Sequence, residues 1–204
     1  MLYKIFILSI LLSKSLFYSF GQECYYDSLS NQFNISIESK KNKVKNSTLD
    51  SVYIKVVIRN KDTDSVIQTI RKNQELAWDS QESNCSHVRS YQTTLNLDLP
   101  VVDNDFGRLI IADFNFDGLD DFAFSYDASV TSGPIYHFYI QQTDGTFIRQ
   151  VFLSENMAFF PAIIDTEKKQ LITHTHANTY QIGIRTFQFN PETNSWYLLN
   201  QIKR

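Results

Sequence analysis

Alternating apolar and polar positions along this chain predict β-strands from one end of the mature sequence to the other. Val52, Ile54, Val56 and Ile58 occupy every second position of one stretch, the period of a half-buried strand. Further strand-like stretches rich in β-branched and aromatic residues cover 65–71, 135–142, 147–153, 171–176, 181–189 and 196–202. Turn sequences separate them at 61–64, Asp144-Gly145 and 191–194. Only residues 72–80 could hold a short helix.

The pattern therefore predicts an all-β fold, a single antiparallel β domain of sandwich or propeller type. No fixed-period repeat is visible, which disfavours a propeller built from many repeated blades. We place this domain at residues 22–204, a length that can bury a substantial core.

The first 21 residues have the pattern of a signal peptide. Lys4 precedes an apolar run at 5–12, and Ser19-Phe20-Gly21 supplies small residues for cleavage before Gln22. A permanent membrane span is disfavoured because serines and Lys14 interrupt the run. A lipid anchor at Cys24 is disfavoured because the lipid-attachment motif requires a small residue before the cysteine, and that position is Glu23. We expect a periplasmic or secreted protein without stable membrane insertion.

Charge and cysteine content limit which classes of partner and which cellular compartment we expect. The net charge of −3 becomes −5 once Lys4 and Lys14 are removed, since residues 1–21 hold no acidic residue. This mild acidity argues against a nucleic-acid partner. The two cysteines, Cys24 and Cys85, predict one disulfide in an oxidising compartment, with two buried free thiols as the alternative.

Residues 113–121 read Asp-Phe-Asn-Phe-Asp-Gly-Leu-Asp-Asp and predict a calcium loop. Ca²⁺ takes six to eight oxygen ligands, and a glycine permits the sharp turn that brings them together. The expected ligands are Asp113, Asn115, Asp117, the backbone carbonyl of Leu119, and Asp121. Four carboxylates, with Asp120, would repel one another without a cation. The alternative is an acidic turn that binds nothing.

The loop departs from the EF-hand pattern. Position 12 is Phe124 and not glutamate, and the flanking apolar stretches at 109–112 and 122–124 suit buried strands. The stretch resembles the strand–loop–strand calcium motif of FG-GAP and VCBS-type β-proteins. Because the ligands fill the coordination sphere, we expect a structural ion.

No sequence motif for catalysis is present, so we predict that the protein is not an enzyme. There is no nucleophile elbow, phosphate-binding glycine loop or His-Glu-x-x-His zinc motif. His174 and His176 would share one face of a strand, but no third zinc ligand accompanies them, which favours surface histidines. A hydrolase with paired carboxylates is a minor alternative.

A second informative stretch is the turn Ser132-Gly133-Pro134-Ile135-Tyr136. Gly-Pro marks a tight, stiff turn, and it precedes the predicted strand at 135–142. As a plain turn it requires no function.

From about residue 107 onward the chain resembles a family of small secreted bacterial β-proteins. This family includes periplasmic inhibitors of invertebrate-type lysozyme and immunity proteins against peptidoglycan hydrolases. The resemblance is carried by the loop at 113–121, the Ser-Gly-x-x-Tyr turn at 132–136 and the aromatic hairpin through Asp144-Gly145 to Phe147.

The resemblance implies an inhibitor or immunity factor whose partner is a lysozyme-like peptidoglycan hydrolase. Ser132 and Tyr136 would then offer hydroxyls to the catalytic carboxylates, and Gly133 would allow close backbone approach. Pro134 departs from the family pattern and stiffens the turn. The alternative is a calcium-dependent carbohydrate-binding or adhesion module with a groove lined by Trp78 or Trp196.

Overall fold

Three β-sheets make up the described part of the protein. The computed structural model describes residues 22–43, 50–76, 85–86, 88–91, 107–129, 133–178 and 180–204. The N-terminal sheet contains β1 (Gln22–Tyr26), β2 (Phe33–Lys43), β3 (Asp50–Asn60) and β4 (Val66–Leu76). The central sheet contains β5 (Val88–Ser90), β6 (Leu109–Ala112), β7 (Asp121–Ser129), β8 (Gly133–Gln141) and β9 (Phe147–Arg149). The C-terminal sheet contains β10 (Ile163–Asp165), β11 (Gln170–Asn178), β12 (Gln181–Asn190) and β13 (Ser195–Lys203).

The predicted all-β fold is confirmed. Strands follow one another in chain order within each sheet, and neighbouring strands pair antiparallel except for the short parallel pair β5–β6. A π-helical turn, Leu153–Met157, connects the central sheet to the C-terminal sheet.

Apolar cores lie against both faces of the central sheet. Leu109, Ile111 and Phe122 join the N-terminal sheet in a first core. Their neighbours Ile110, Ala112 and Ala123 face the opposite way, into a second core with the π-helical turn and the C-terminal sheet. Successive residues of a strand point to opposite faces, so this division requires a three-layer arrangement with the central sheet in the middle.

Aromatic side chains fill much of both cores. In the first, Phe122 stacks on Tyr139 with ring centroids 4.9 Å apart. In the second, Phe114 meets Phe138 edge to face at 5.1 Å. Such pairs add stabilisation beyond the apolar area that they bury.

The predicted disulfide between Cys24 and Cys85 is present. It joins β1 of the N-terminal sheet to the segment just before β5, with a Cα–Cα distance of 5.3 Å and a sequence separation of 61. A disulfide fits an extracytoplasmic location. In the described residues no helix has the length and apolar character needed to cross a membrane. The predicted signal peptide lies outside the described residues.

Two predicted elements differ from the structure. The stretch considered for a helix, 72–80, belongs to β4 as far as Leu76, and residues 77–80 lie outside the described ranges. The strand predicted at 147–153 ends at Arg149, because the chain then turns into a helical segment. Ser154 holds this turn in place, since its hydroxyl donates to the Gln150 carbonyl and accepts from the Phe138 amide.

Candidate metal loop and partner-binding turn

The predicted calcium loop connects β6 to β7, which pair antiparallel. Phe114 is fully buried in the second core. Phe116 takes a left-handed φ of 62° and packs against Phe189 and Trp196 at centroid distances of 6.3 and 6.0 Å. Phe114 and Phe116 thus anchor the loop to the core, and they alternate along the chain with the polar residues Asp113, Asn115 and Asp117.

Asp113, Asn115 and Asp117 are linked to one another by hydrogen bonds. The Asp113 carboxylate accepts from the amides of Asp117 at 3.1 Å and Gly118 at 2.8 Å. Asn115 Nδ2 donates to Asp117 Oδ2 at 2.8 Å, and the amide of Leu119 donates to Asp117 Oδ1 at 2.8 Å. Gly118 makes this curl possible, since its φ of 86° is costly for other residues. The structure thus brings four of the five predicted ligand residues into one hydrogen-bonded loop.

Asp121 connects the loop to the central sheet. It is fully buried, and its carboxylate accepts from the amides of Phe114 and Gln141, each at 2.8 Å. Burial raises the pKa of this carboxyl well above its ordinary value, and the charges of Asp113 and Asp117 raise it further. Asp121 therefore stabilises the backbone of the loop, in addition to its predicted role as a ligand.

Asp120 contributes a contact that the sequence did not indicate. This buried carboxylate accepts a hydrogen bond from Ser30 Oγ at 2.5 Å, which ties the loop to the segment after β1. The Ser30 hydroxyl in turn accepts from the Gln32 amide at 2.9 Å. Only the tertiary arrangement brings residues 90 positions apart together, so no local pattern could have revealed this pair.

The donor set of the loop suits a hard cation. Asn115 Oδ1 is buried without a hydrogen-bond partner, an arrangement that a cation at this atom would satisfy. Burial also raises the pKa of Asp113, and the nearby charge of Asp117 adds to the effect. In the described residues, no three His, Cys, Asp or Glu side chains are arranged as a metal-holding group. The calcium site stays a prediction.

Tyr136 does not occupy the surface position predicted for it. Its side chain is 0% exposed, and its hydroxyl donates to the Gly107 carbonyl at 2.7 Å. The ring packs in the second core against Phe160, with centroids 5.8 Å apart. The prediction that its phenol contacts a partner is wrong for this conformation, because Tyr136 lies within β8 on a face covered by the C-terminal sheet.

The remaining residues of the predicted turn lie at the start of β8. Gly133 begins the strand with a φ of 84° and pairs with Ser129 of β7. Pro134 and Ile135 are half-buried. Ser132 lies outside the described residues. A partner-binding surface at this turn would rest on the residues before Tyr136.

A polar cluster on the same hairpin was missed by sequence reasoning. His137 stacks on Tyr126 with centroids 3.7 Å apart, and its Nδ1 accepts from Arg149 Nε at 3.2 Å. Arg149 also pairs with Glu155 at 3.2 Å. Burial lowers the pKa of His137 to about 4, and the charge of Arg149 contributes, so the imidazole is neutral at neutral pH. In the sequence, the only sign of this cluster was that His137 lies between two aromatic residues of a predicted strand.

The residues considered for alternative functions are placed as follows. Trp196 is buried against Phe189 and Phe116, so it does not line a sugar-binding groove. Trp78 lies outside the described residues. His174 is half-buried and His176 exposed on β11, opposite Ile184 and Ile182 of β12.

Comparison with known proteins gives no family for this chain. No protein-family model matches it, and neither the curated proteins nor the solved structures that were searched contain a significant match.

Proposed function

We propose that this is a secreted, calcium-stabilised binding protein that inhibits a lysozyme-like peptidoglycan hydrolase, either as an inhibitor or as an immunity factor, and that it catalyses no reaction. The observation that carries the proposal is the rigid base of the β7–β8 turn. Tyr136 fastens one side of the hairpin to Gly107 through a buried hydrogen bond. A hairpin whose base is held in this way loses little conformational entropy at that base on binding.

The calcium loop supports the other end of the same hairpin. The β7 strand begins at Asp121, whose carboxylate also binds the Gln141 amide at the end of β8. Asp113, Asn115, Asp117, the Leu119 carbonyl and Asp121 would hold the ion. A bound Ca²⁺ supplies positive charge that offsets the mutual repulsion of these carboxylates. The ion thus stabilises the scaffold and does not contact the partner.

In this proposal the turn enters the cleft of the hydrolase. The Ser132 hydroxyl donates a charge-assisted hydrogen bond to a catalytic carboxylate, and Gly133 permits close backbone approach. Tyr136 acts as a positioning residue and does not touch the partner. The half-buried Pro134 limits the conformations of the turn.

The direct test is a pull-down of the mature protein against a panel of lysozymes and peptidoglycan hydrolases, followed by inhibition assays with each partner captured. We expect Ser132→Ala to weaken binding by about 1.5–3 kcal/mol, or roughly ten- to a hundredfold in Kd. Ser65→Ala removes an exposed hydroxyl from the β3–β4 turn and serves as the matched control. Equal affinity of the two variants, or capture of no hydrolase, would refute the inhibitory turn.

The carbohydrate-binding alternative requires exposed aromatic residues in place of the β7–β8 turn. Tyr180 and Tyr197 are exposed aromatic residues of the C-terminal sheet that could stack on a sugar ring. Binding of the mature protein to a glycan array, abolished by Tyr197→Ala and unaffected by Ser132→Ala, would support that function in place of inhibition.

A further inference from the structure

The outer edge of β13, a strand of nine residues, has no neighbouring strand in the described part of the protein. In the C-terminal sheet β13 has one neighbour, β12, and the opposite edge is the three-residue strand β10. In the N-terminal sheet, the side chain of Gln68 in the edge strand β4 bonds the backbone of Phe147 in β9 at 3.0 and 2.7 Å. Across the described ranges, nothing bonds the outward backbone groups of β13.

The register shows which backbone groups are available. Ile182 of β12 and Arg204 exchange both backbone hydrogen bonds, at 2.8 and 2.9 Å. Paired residues of an antiparallel ladder alternate between bonded and non-bonded pairs. The N–H and C=O groups of Lys203 and Gln201 therefore point away from β12. Such a row of groups is a template for another strand.

Apolar side chains accompany this open edge. Tyr197, Leu198, Leu199 and Ile202 of β13 are all between 37% and 50% exposed. Ile182 on the neighbouring strand is 44% exposed. Successive residues of a strand point to opposite faces, so Tyr197 and Leu198 lie on different faces of the sheet. A strand added at this edge would therefore meet exposed apolar side chains on both faces.

Charged residues at the two ends of β13 indicate which partner covers its outer edge. Glu192 lies in the turn before β13, whereas Lys203 and Arg204 lie at its other end. All three are exposed, and none forms an ion pair with another described residue. Antiparallel pairing of two β13 strands would bring Lys203 and Arg204 of each copy towards Glu192 of the other. Parallel pairing would instead bring like charges together.

We propose that two copies of the protein associate through β13 in an antiparallel pair, so that their C-terminal sheets form one continuous eight-stranded sheet across a two-fold axis. The proposal is independent of the function proposed above, since the β7–β8 turn belongs to another sheet. Backbone hydrogen bonds from Gln201 and Lys203, the apolar side chains of β13 and two clusters of opposite charge hold the copies together.

Sedimentation velocity of the mature protein over a range of concentrations tests the association. We expect the mass to double with rising concentration, and the dimer to weaken at high salt because the charge clusters are exposed. Gln201→Pro removes an N–H that β12 does not use, and should leave a folded monomer. Tyr25→Ser removes an aromatic residue that is 53% exposed on β1 of the N-terminal sheet, and should not change the mass.

Charge reversal provides a second test that does not alter the backbone. Glu192→Lys should weaken the dimer at least about tenfold, since two clusters become repulsive. Adding Lys203→Glu and Arg204→Glu to that variant should restore it. A wild-type protein that is monomeric at a few hundred micromolar would overturn the proposal. So would a dimer that Gln201→Pro and Glu192→Lys leave intact.

Discussion

For Tyr136, the surrounding sequence predicted the strand but not the face of the sheet on which the side chain lies. The prediction of a strand at 135–142 was correct, but the face on which Tyr136 lies could not be predicted. A strand exposed on one side shows polar residues at every second position. Phe138 and Tyr139 are both apolar because β8 is buried on both sides, and so the alternation that would have placed Tyr136 in the core is missing.

We expect Tyr136→Phe to lower the free energy of unfolding by about 1–3 kcal/mol, since it removes the donor to the buried Gly107 carbonyl. Chemical denaturation measures the change. Tyr197→Phe removes the same hydroxyl from a residue that is 45% exposed and should have almost no effect. Equal stability of the two variants would show that the buried bond contributes nothing.

His137 should make stability depend on pH. Its pKa in the folded protein is about 4, below the ordinary value of 6.5, so the unfolded chain binds the proton more readily. The neutral imidazole's contribution is complete above pH 6.5 and is lost as the pH falls towards 4. Between about pH 7 and pH 5 we expect a loss of about 2 kcal/mol.

Denaturation curves of His137→Gln across the same range isolate this contribution. The variant should lose less stability than the wild type on acidification. If stability depends on pH equally in His137→Gln and in the wild type, other groups cause that dependence.

Among the elements, the β6–loop–β7 unit was the most predictable. Its spacing of polar residues, Gly118 and the two flanking apolar stretches are local features, and the structure places strands on both sides of the loop. The sequence could not predict which contacts this unit makes with the rest of the protein. The contacts of Asp120 with Ser30 and of Asp121 with Gln141 depend on how the sheets assemble.

We expect added Ca²⁺ to raise the melting temperature and a chelator to lower it. An ion present at a hundredfold excess over its Kd stabilises the native state by about 2.7 kcal/mol. For a chain of this size that corresponds to a shift of roughly 5–10 °C. Asp117→Ala should abolish the response, and Asp62→Ala, an exposed aspartate of the β3–β4 turn, should preserve it. Identical melting of the wild type in calcium and in chelator would mean that the loop binds no ion.

For the molecule as a whole, the sequence predicted the class of fold but not the number of layers. Long strands with clear periodicity, such as β3 and β11–β13, were found close to their predicted bounds. The strand β5 has only three residues, and its parallel pairing with β6 is a long-range contact that leaves no local pattern. The π-helical turn at Leu153–Met157 depends on Ser154 meeting the Phe138 amide.

The disulfide should contribute strongly to the stability of the whole molecule. Closing a loop with a sequence separation of 61 removes about 4 kcal/mol of chain entropy from the unfolded state. We expect reduction to lower the midpoint of chemical denaturation accordingly, and Cys24→Ser with Cys85→Ser to be insensitive to reductant. Intact mass after alkylation checks the bond itself. Two thiols that are alkylated without prior reduction would contradict it.

The middle position of the central sheet has a consequence for the order of assembly. Each sheet is made mostly from consecutive strands, so hairpins can form quickly from nearby segments. The central strands, however, carry apolar side chains on both faces and stay prone to aggregation until both outer sheets have docked. We expect pulsed hydrogen exchange during refolding to protect the β2–β3 and β11–β12 hairpins before β6 and β7. Earlier protection of the central strands would show that the middle layer collapses first.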